Sequence, residues 1–309
     1  MNKNILILFL ISGLLMAATN IAGYSGSFLR MGTTARSMAM GSAFTAVIDD
    51  GFASYHNPAA PALFSRPQVS VIHHALPLDR QLTAVGFGTK LPPAGGVSLA
   101  LLRTATTGID GRTSSGEKTG VLTTSEMALF IGFAQQIKPW LAVGANLKIM
   151  YHYLPLNADN LKGNGSGFDI GILVRLPKDR QIGLVVQDLN SGYHWNSGNV
   201  FAEGGPYKDV FPASYRLGIS TPIKMFRVTA DAGVYMDGGT YLAPLVRAGV
   251  EYTYRDQYYM RAGFGNGRVA FGTGLKYRFR HPDDSTIDYA IAIDATSGIN
   301  HILTFGFSF

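Results

Sequence analysis

Apolar and polar residues alternate with a period of two along most of this chain, from residue 67 to its end. The clearest case is 300–309, where Leu303, Phe305 and Phe307 alternate with small or polar residues. Such alternation predicts strands whose two faces lie in different environments. Fourteen strand-like runs bounded by turn residues follow one another, at 67–75, 80–91, 95–105, 124–138, 140–154, 165–177, 181–189, 213–222, 226–236, 243–254, 257–264, 269–280, 285–295 and 299–309.

The connections between these runs differ in length in a regular way. Those after the third, fifth and seventh runs are long (106–123, 155–164 and 190–212), whereas those after the even-numbered runs are short. Transmembrane β-barrels have short turns at one end and longer loops at the other, and closure pairs every strand edge. The sequence therefore predicts an all-β fold: a 14-stranded antiparallel transmembrane β-barrel at 67–309, in the bacterial outer membrane, with both termini periplasmic.

The two faces of the predicted strands differ in charge. A Lys or Arg that faced lipid at the bilayer midplane would cost roughly 2–4 kcal/mol, so the charged parity is expected to face the lumen. It carries Lys148, Asp169, Arg175, Arg216, Arg227, Asp231, Arg247, Glu251, Arg261, Lys276, Arg278 and Asp288. We interpret these residues as a ladder of ion pairs that fills a narrow lumen, because charges beside a packed segment need partners. The alternative is a basic-leaning conduit or pocket for an anionic or amphipathic ligand.

The chain begins with one Lys and then an apolar run at 5–18. At about 14 residues this run is shorter than the ~20 needed for a membrane-spanning helix, and small residues follow it. Residues 1–22 are therefore predicted to be a signal peptide, with cleavage between 17 and 22. The sequence contains no Cys, so the exported protein can form no disulfide and has no thiolate chemistry.

Residues 23–66 do not alternate. They are rich in Ala, Met and Gly, which allow a partly helical chain and close approach of backbones. The Asn-Pro pair at 57–58 favours a turn, since Pro holds the preceding residue out of the helical region. We predict that this stretch is a small N-terminal plug inside the barrel, anchored through Arg36, Asp49 and Asp50.

The stretch from Gly32 to Ala59 is G-T-T-A-R-S-M-A-M-G-S-A-F-T-A-V-I-D-D-G-F-A-S-Y-H-N-P-A. It resembles the N-terminal signature of the PorV/PorQ family of FadL-like outer-membrane barrels. Ala60 departs from the pattern, because the family usually has Gly there. The tail at 260–309 also resembles the family, so the resemblance implies a FadL-like barrel along the whole mature chain. It also implies a structural or gating role for the plug positions Gly32, Arg36, Gly41, Asp49, Asp50, Asn57 and Pro58.

Function is implied only through that family. Because PorV and PorQ are associated with type IX secretion, the resemblance implies a non-enzymatic partner of secretion-machinery or surface proteins, in export or surface attachment. The alternative, by similarity to FadL, is a transporter of hydrophobic small molecules across the outer membrane. A barrel with a purely structural role is a third hypothesis. Aromatic residues in the predicted loop 190–212 indicate either a contact surface or a cap folded into the barrel mouth.

Motifs for other chemistry are not supported by their context. Residues 111–119 resemble a phosphate loop, but Glu117 interrupts the required Gly-Lys step. The His residues lack metal-ligand spacing, and no Ser aligns with a His and an acid on the outward face. We therefore predict no catalytic residue, no metal site and no cofactor. The net charge of +6 is scattered along the strands, so we expect no nucleic-acid partner. The predicted barrel implies outer-membrane lipid as a partner, because lipid covers its apolar face.

Overall fold

Fourteen antiparallel strand positions close into a barrel in a computed structural model of the chain, which confirms the predicted fold. The structure describes residues 21, 23–156, 160–280, 283–294 and 298–309, so the predicted signal peptide, apart from Ile21, lies outside the described residues. No helix in these ranges is long and apolar enough to cross a membrane. The strands are β1 (Gln68–Leu76), β2 (Arg80–Leu91), β3 (Gly95–Arg112), β4 (Lys118–Lys138), β5 (Leu141–Pro155), β6 (Asn160–Leu176), β7 (Arg180–Asn196), β8 (Pro206–Val210), β9 (Ala213–Ile223), β10 (Phe226–Asp237), β11 (Thr240–Tyr254), β12 (Tyr258–Gly265), β13 (Arg268–Arg280), β14 (Asp283–Asp294) and β15 (Gly298–Ser308).

Strands β1 and β15 close the barrel. Their antiparallel register runs from Gln68 opposite Ser308 to Ala75 opposite His301. The other wall strands pair with their neighbours in sequence, including β6 with β7. The last strand is therefore paired on both edges, by β1 and β14. This pairing satisfies the backbone groups that a phenylalanine-rich C-terminal strand would otherwise expose.

One position of the wall is built from two strands. Strand β8 pairs with the outer part of β7 and β9 with its inner part, and the two run in the same direction. They are separated by Phe211 and Pro212, and Pro has no backbone N–H to give to the ladder. At the same height, the register of β7 with β6 skips from Leu189 to Gly192. We call residues 188–191 together with Phe211 and Pro212 the wall break.

Two predicted loops contain strand instead. Strands β3 and β4 extend as a hairpin to Arg112 and Lys118, so most of the predicted loop 106–123 is paired backbone. Strand β7 likewise continues to Asn196, inside the predicted loop 190–212. Thr- and Ser-rich stretches resemble loops in composition, but β-branched Thr also fits the exposed surface of a strand pair. The loop assignment was wrong there; the longer connections still share one end of the barrel, here called the long-hairpin end, opposite the short-turn end.

The outward face of the wall is apolar. Phe133 and Phe271 point outward and are 58% and 53% exposed. Exposed apolar side chains on successive strands form the surface that a lipid-embedded barrel requires, whereas a water-soluble protein rarely exposes so large an apolar area. Trp140, Tyr254 and Tyr258 are exposed at the short-turn end, a position that suits an interfacial aromatic girdle.

Residues 23–66, here called the N-terminal segment, lie inside the barrel. The segment contains two short helices, Ala35–Ala39 and Ala53–His56, and 3-10 turns at Ser27–Arg30 and Ala60–Leu63. The Thr at the N-cap of the first helix accepts a backbone N–H with its side chain, which stabilises the first turn. That helix packs against β12 to β15, whereas the second 3-10 turn packs against β2 to β5. The segment therefore contacts opposite sides of the wall.

Candidate functional site

The interior of the barrel divides into two sectors of different chemistry. Most of the charged inward side chains lie on β9 to β14, whereas most of the large apolar inward side chains lie on β1 to β5. The charged sector comprises Arg216, Arg227, Asp231, Arg247, Glu251, Arg261 and Asp288, with Arg36 and Asp49 of the N-terminal segment. The apolar sector comprises Ile72, Leu82, Ala84, Ala100, Leu102, Ala128, Phe130 and Met150, with Phe28, Leu29, Phe52 and Tyr55 of that segment.

Glu251 is the centre of the charged sector and its side chain is 3% exposed. Arg36 donates to both of its carboxylate oxygens, each at 2.8 Å, and Arg261 donates to Oε2 at 2.7 Å. Arg261 also donates to Asp288 at 2.6 Å. A continuous chain of ion pairs thus joins the N-terminal segment to β11, β12 and β14. Buried charges need such partners, because an unpaired one is strongly destabilising.

The two aspartates of the N-terminal motif lie in different surroundings. Asp49 is 3.3 Å from Arg36 and 3.6 Å from Arg227. The guanidinium of Arg36, and then that of Arg227, hold the pKa of Asp49 well below its usual range. Asp50 is buried, where it accepts from Thr34 Oγ1 at 3.0 Å and from a backbone N–H at 2.8 Å. Burial raises the pKa of Asp50. Asp49 therefore contacts the wall, whereas Asp50 joins two parts of the segment.

Asn57 fastens the N-terminal segment to the wall. Its side-chain amide donates to the carbonyl oxygens of Thr45 at 2.9 Å and of Ile172 on β6 at 3.1 Å. Its Oδ1 accepts a backbone N–H at 3.1 Å, so the side chain uses both of its ends. Pro58 follows and lies against Gly144 on β5, where an added Cβ would come within 2.3 Å of the Pro58 carbonyl oxygen. Backbone contact of this kind leaves no room for a larger residue.

We expect Asn57→Ala to lower the free energy of unfolding by about 1–3 kcal/mol, because it leaves buried polar backbone groups without partners. Urea unfolding of the refolded barrel in detergent micelles, followed by tryptophan fluorescence, measures this. Asn164→Ala on the outward face of β6 is the matched control, since Asn164 is exposed. A loss in the control equal to that in Asn57→Ala would contradict a fastening role.

The two glycines of the motif have positive backbone φ angles. Gly41 has a φ of +64°, and a Cβ on it would lie 2.3 Å from the carbonyl oxygen of Phe264 on β12. Gly32 has a φ of +96° and lies against the Met38 side chain. Both the left-handed conformation and the close approach favour glycine, so Gly41 sets how near the segment comes to the wall.

Four further side chains that were predicted to face the lumen make hydrogen bonds to the N-terminal segment. The contacts are Asp231 with Thr45 Oγ1 at 2.7 Å, Arg247 with the Ser42 carbonyl at 3.1 Å, Arg175 with the Leu63 carbonyl at 2.7 Å and Arg216 with the His56 carbonyl at 3.3 Å. Burial, and then Arg216 and Arg247, lower the pKa of His56 well below its usual range, so its imidazole is neutral. The segment is thus held by charges on many strands.

Lys276 and Arg278 lie at the short-turn end. They bind Asp284 at 2.9 Å and 3.0 Å, and Arg278 is 54% exposed. Lys276 borders a cavity of about 770 Å³ that reaches inward to Asp49 and Arg227. Basic and acidic side chains line this cavity in equal number, which does not match a basic-leaning conduit. Among the described residues, no group of three or more His, Asp or Glu could hold a metal ion.

Lys148 forms a separate buried group beside the wall break. Its side chain is 2% exposed, and its ammonium lies 2.6 Å from Asp169 and also binds Asp188. Asp169 accepts the backbone N–H of Asp188 at 2.9 Å, so a carboxylate takes that N–H where the β6–β7 register is irregular. Strict alternation along β7 would place Asp188 outward; at its φ of +63° the bulge turns it inward. Sequence analysis did not identify Asp188 for that reason.

The apolar sector continues to the long-hairpin end, where aromatic side chains close it. Phe28 of the N-terminal segment lies there with Tyr193 and Phe211, and all three are buried. The rings of Tyr193 and Phe211 meet edge to face with centroids 5.0 Å apart. The Tyr193 hydroxyl donates to Glu126 at 3.0 Å. This aromatic cap is the arrangement expected if the loop aromatics fold into the barrel mouth.

Other aromatic residues of the same hairpin point away from the mouth. Phe201 and Tyr207 are 54% and 66% exposed. Some aromatic residues of this region therefore cap the barrel and others are exposed, and a contact surface formed by the exposed ones stays a prediction. The sequence could not separate them, since the position of each ring depends on how β8 pairs with β7.

Arg103 on β3 lies exposed on the outward face, which corrects the assignment of strand charges to the lumen alone. Its outward neighbours along the strand are Leu99 and Leu101, which are 51% and 42% exposed. A basic side chain on this face costs roughly 2–4 kcal/mol at the midplane but only about 0–1 kcal/mol near an interface. Arg103 therefore marks the edge of the apolar band on the side of the long-hairpin end.

Comparison with known proteins supports the fold. The model of an uncharacterised protein family, UPF0164, matches residues 24–167. No curated protein matches the chain. Similar solved structures are the deltaS2S3 mutant of the monoaromatic hydrocarbon channel TodX (TM-score 0.65, 16% identity, 90% of this chain and 99% of that one), the Ralstonia pickettii toluene transporter TbuX (0.63, 16%, 90% and 98%) and a Pseudomonas aeruginosa FadL homologue (0.57, 11%, 90% and 98%).

At these identities the likeness shows a FadL-like fold and nothing more specific. The predicted FadL-like barrel is therefore confirmed. The narrower resemblance to the PorV/PorQ family, with its implied part in type IX secretion, stays a prediction.

Proposed function

We propose that this protein lies in the bacterial outer membrane and transports small hydrophobic molecules across it. The observation that carries this proposal is the apolar sector inside the barrel. A barrel that conducts water and polar solutes presents polar side chains to its lumen. Here Leu82, Leu102, Phe130 and Met150 face inward and are fully or almost fully buried. Apolar surfaces with a few placed polar groups are typical of sites for small hydrophobic ligands.

In this proposal the aromatic cap is the entrance to the apolar sector, and the wall break is its lateral exit. The aromatic cap of Phe28, Tyr193 and Phe211 covers its end at the long hairpins. Phe211 belongs to the wall break and Tyr193 lies next to it, where the ladder of β7 is interrupted on both edges. Separating strands there disrupts fewer backbone hydrogen bonds than at any regular part of the ladder. An apolar molecule released at this height would enter the hydrocarbon of the membrane directly.

The structure has this route closed. The N-terminal segment packs against the apolar sector, and next to Tyr55 and His56 it leaves a cavity of only about 20 Å³. Transport therefore requires a change of conformation, either of the aromatic cap or of the segment. The cap is the smaller change, because the segment is tied to many strands through buried charged groups.

Two of the similar structures are named for transport of monoaromatic compounds, TodX as a monoaromatic hydrocarbon channel and TbuX as a toluene transporter. The shared fold supports, without establishing, a substrate of the same general kind. We therefore choose toluene as the first probe.

We expect a Gram-negative host that makes the barrel, and that lacks its own FadL-type channels, to take up radiolabelled toluene faster than the same host with an empty vector. Phe211→Ala should raise the rate further, by about threefold to tenfold, because a gate barrier lower by about 1 kcal/mol corresponds to about fivefold. Phe201→Ala is the control, since Phe201 lies in the same hairpin but is 54% exposed. Uptake at the empty-vector rate by both the native barrel and Phe211→Ala would contradict transport.

A secretion or surface-attachment role is the second candidate, and the exposed surface of Phe201 and Tyr207 favours it. Large exposed aromatic residues on an outer hairpin resemble those found at protein interfaces. Purification from outer membranes in mild detergent separates the two functions. A stoichiometric protein partner that is lost in a Phe201→Ala, Tyr207→Ala variant would favour secretion or attachment. A barrel that purifies alone and still supports toluene uptake would favour transport.

A further inference from the structure

A row of polar side chains crosses the outward face near the long-hairpin end. Strand β1 contributes His73, β2 contributes Thr83, β3 contributes Arg103 and β15 contributes His301, and all four are exposed. The outward residues next to them, toward the short-turn end, are apolar. These are Val71 on β1, Val85 on β2, Leu101 on β3 and Leu303 on β15. The row therefore borders this run of apolar side chains on the side of the long-hairpin end.

The strand register places these side chains side by side. Thr83 lies directly opposite His73 on one side and Arg103 on the other. Because neighbouring strands are about 4.8 Å apart, the backbones of Arg103 and His73 are about 10 Å from each other, with the small Thr83 between them. His301 lies opposite Ala75 and thus one diagonal step from His73. Between the three longer, nitrogen-bearing side chains lie only the short side chains of Thr83 and Ala75.

A neighbouring ring fixes the orientation of His301, whereas the guanidinium of Arg103 has no carboxylate partner among the described residues. The His301 Nδ1 shares a hydrogen bond with the Tyr289 hydroxyl at 2.7 Å, and the two rings stack with centroids 6.2 Å apart. This contact fixes the imidazole, so its Nε2 points away from Tyr289. Within the described residues, Arg103 forms no salt bridge, although a guanidinium offers five N–H donors. The row thus presents donors to whatever lies against the barrel there.

We propose that His73, Thr83, Arg103 and His301 form a binding site for the phosphorylated headgroup of a membrane lipid. A guanidinium binds phosphate through two parallel hydrogen bonds, and imidazole N–H groups and a hydroxyl add further donors. The apolar band directly beneath the row contacts the acyl chains of the same molecule. A lipid phosphate satisfies both features, whereas free phosphate uses only the first. The site rests on the barrel crossing a membrane and is independent of what the barrel transports.

The test measures lipid binding to the purified barrel in detergent by native mass spectrometry, with diphosphoryl lipid A as the probe. We expect one lipid bound to the native protein and about tenfold weaker binding by Arg103→Gln, since a charge-assisted bidentate contact is lost. Arg180→Gln is the matched control, because Arg180 is also exposed, at the opposite end of the wall on β7. The control should bind as the native protein does.

Three results would overturn the proposal. They are the absence of bound lipid A on the native protein, an equal loss in Arg180→Gln, and displacement of the lipid by millimolar inorganic phosphate, which would indicate a site for free anions. Unchanged heat-modifiability of Arg103→Gln on gels shows that any loss is not a folding defect. Toluene uptake measured with the same variants keeps the two proposals apart, since lipid binding can fail while uptake persists, and the reverse.

Discussion

Glu251→Ala is expected to lower the free energy of unfolding by about 3–5 kcal/mol, because removal of one partner leaves the other buried charges of a network uncompensated. Two guanidiniums depend on this carboxylate. Arg36 donates to both of its oxygens and is 12% exposed, and Arg261 donates to Oε2 and is 2% exposed. Since Arg36 belongs to the N-terminal segment, the same substitution should also release that segment from the wall.

Two measurements test this. Urea unfolding in detergent micelles gives the loss of stability, and limited proteolysis in intact outer membranes reports whether the N-terminal segment becomes cleavable. Asp110→Ala is the control, because Asp110 pairs with Arg112 and Lys118 at an exposed hairpin tip, where a salt bridge contributes about 0–1 kcal/mol. If Glu251→Ala unfolds at the same urea concentration as Asp110→Ala and resists protease equally, the charged sector does not hold the segment.

The regular part of the fold could be predicted because a barrel strand imposes a strict period of two. Each of the fourteen runs counted in the sequence overlaps a strand of the wall, and the C-terminal alternation of Phe305 and Phe307 is outward in the structure. Lipid and interior differ so strongly in polarity that every strand has to follow this alternation. The loop at 106–123 was assigned from its Thr-, Ser- and Gly-rich composition. Composition is not bound to strand geometry in this way, and the assignment was wrong for that reason.

The interior could be predicted only in part. Parity separates inward from outward positions, but it does not say which inward positions meet each other across the barrel. The sequence analysis weighed only the charged inward residues, so it missed the apolar sector, although strand order already places inward residues such as Leu102 and Phe130 on neighbouring strands. Arg36 and Glu251 are far apart in the chain, and their contact follows from where the N-terminal segment lies.

The missed residues share a physical cause, which is departure from regular alternation. A bulge turns Asp188 from the outward to the inward face, and no period shows a bulge in advance. Arg103 departs in the opposite sense, as a charge on the lipid-facing parity. Its position at the edge of the apolar band removes most of the cost that made a lipid-facing charge improbable. At both positions a local departure from alternation puts a charged side chain on the face where regular alternation would not put it.

Lys148→Met is expected to destabilise the barrel by about 3–5 kcal/mol, because it leaves the carboxylates of Asp169 and Asp188 buried together without a cation. These side chains are 0% and 7% exposed, so water cannot take the place of the ammonium. The effect should concentrate at the wall break, since Asp169 also holds the backbone N–H of Asp188. Hydrogen exchange of the amides at 188–191 should therefore accelerate more than exchange in β13.

Two further variants separate loss of pairing from loss of packing. Lys276→Met is the control, because Lys276 pairs with Asp284 at the rim, where it is 32% exposed, and should lose no more than about 1 kcal/mol. The triple variant Lys148→Met, Asp169→Asn, Asp188→Asn removes the charges together and should recover much of the stability, since a neutral replacement of a buried ion group is often tolerated. If Lys148→Met were no less stable than Lys276→Met, the wall break would be held by its backbone alone. The triple variant could instead recover its stability while hydrogen exchange at 188–191 stays fast. In that case charge balance determines the stability of the barrel, and the ion pairs keep the wall break closed.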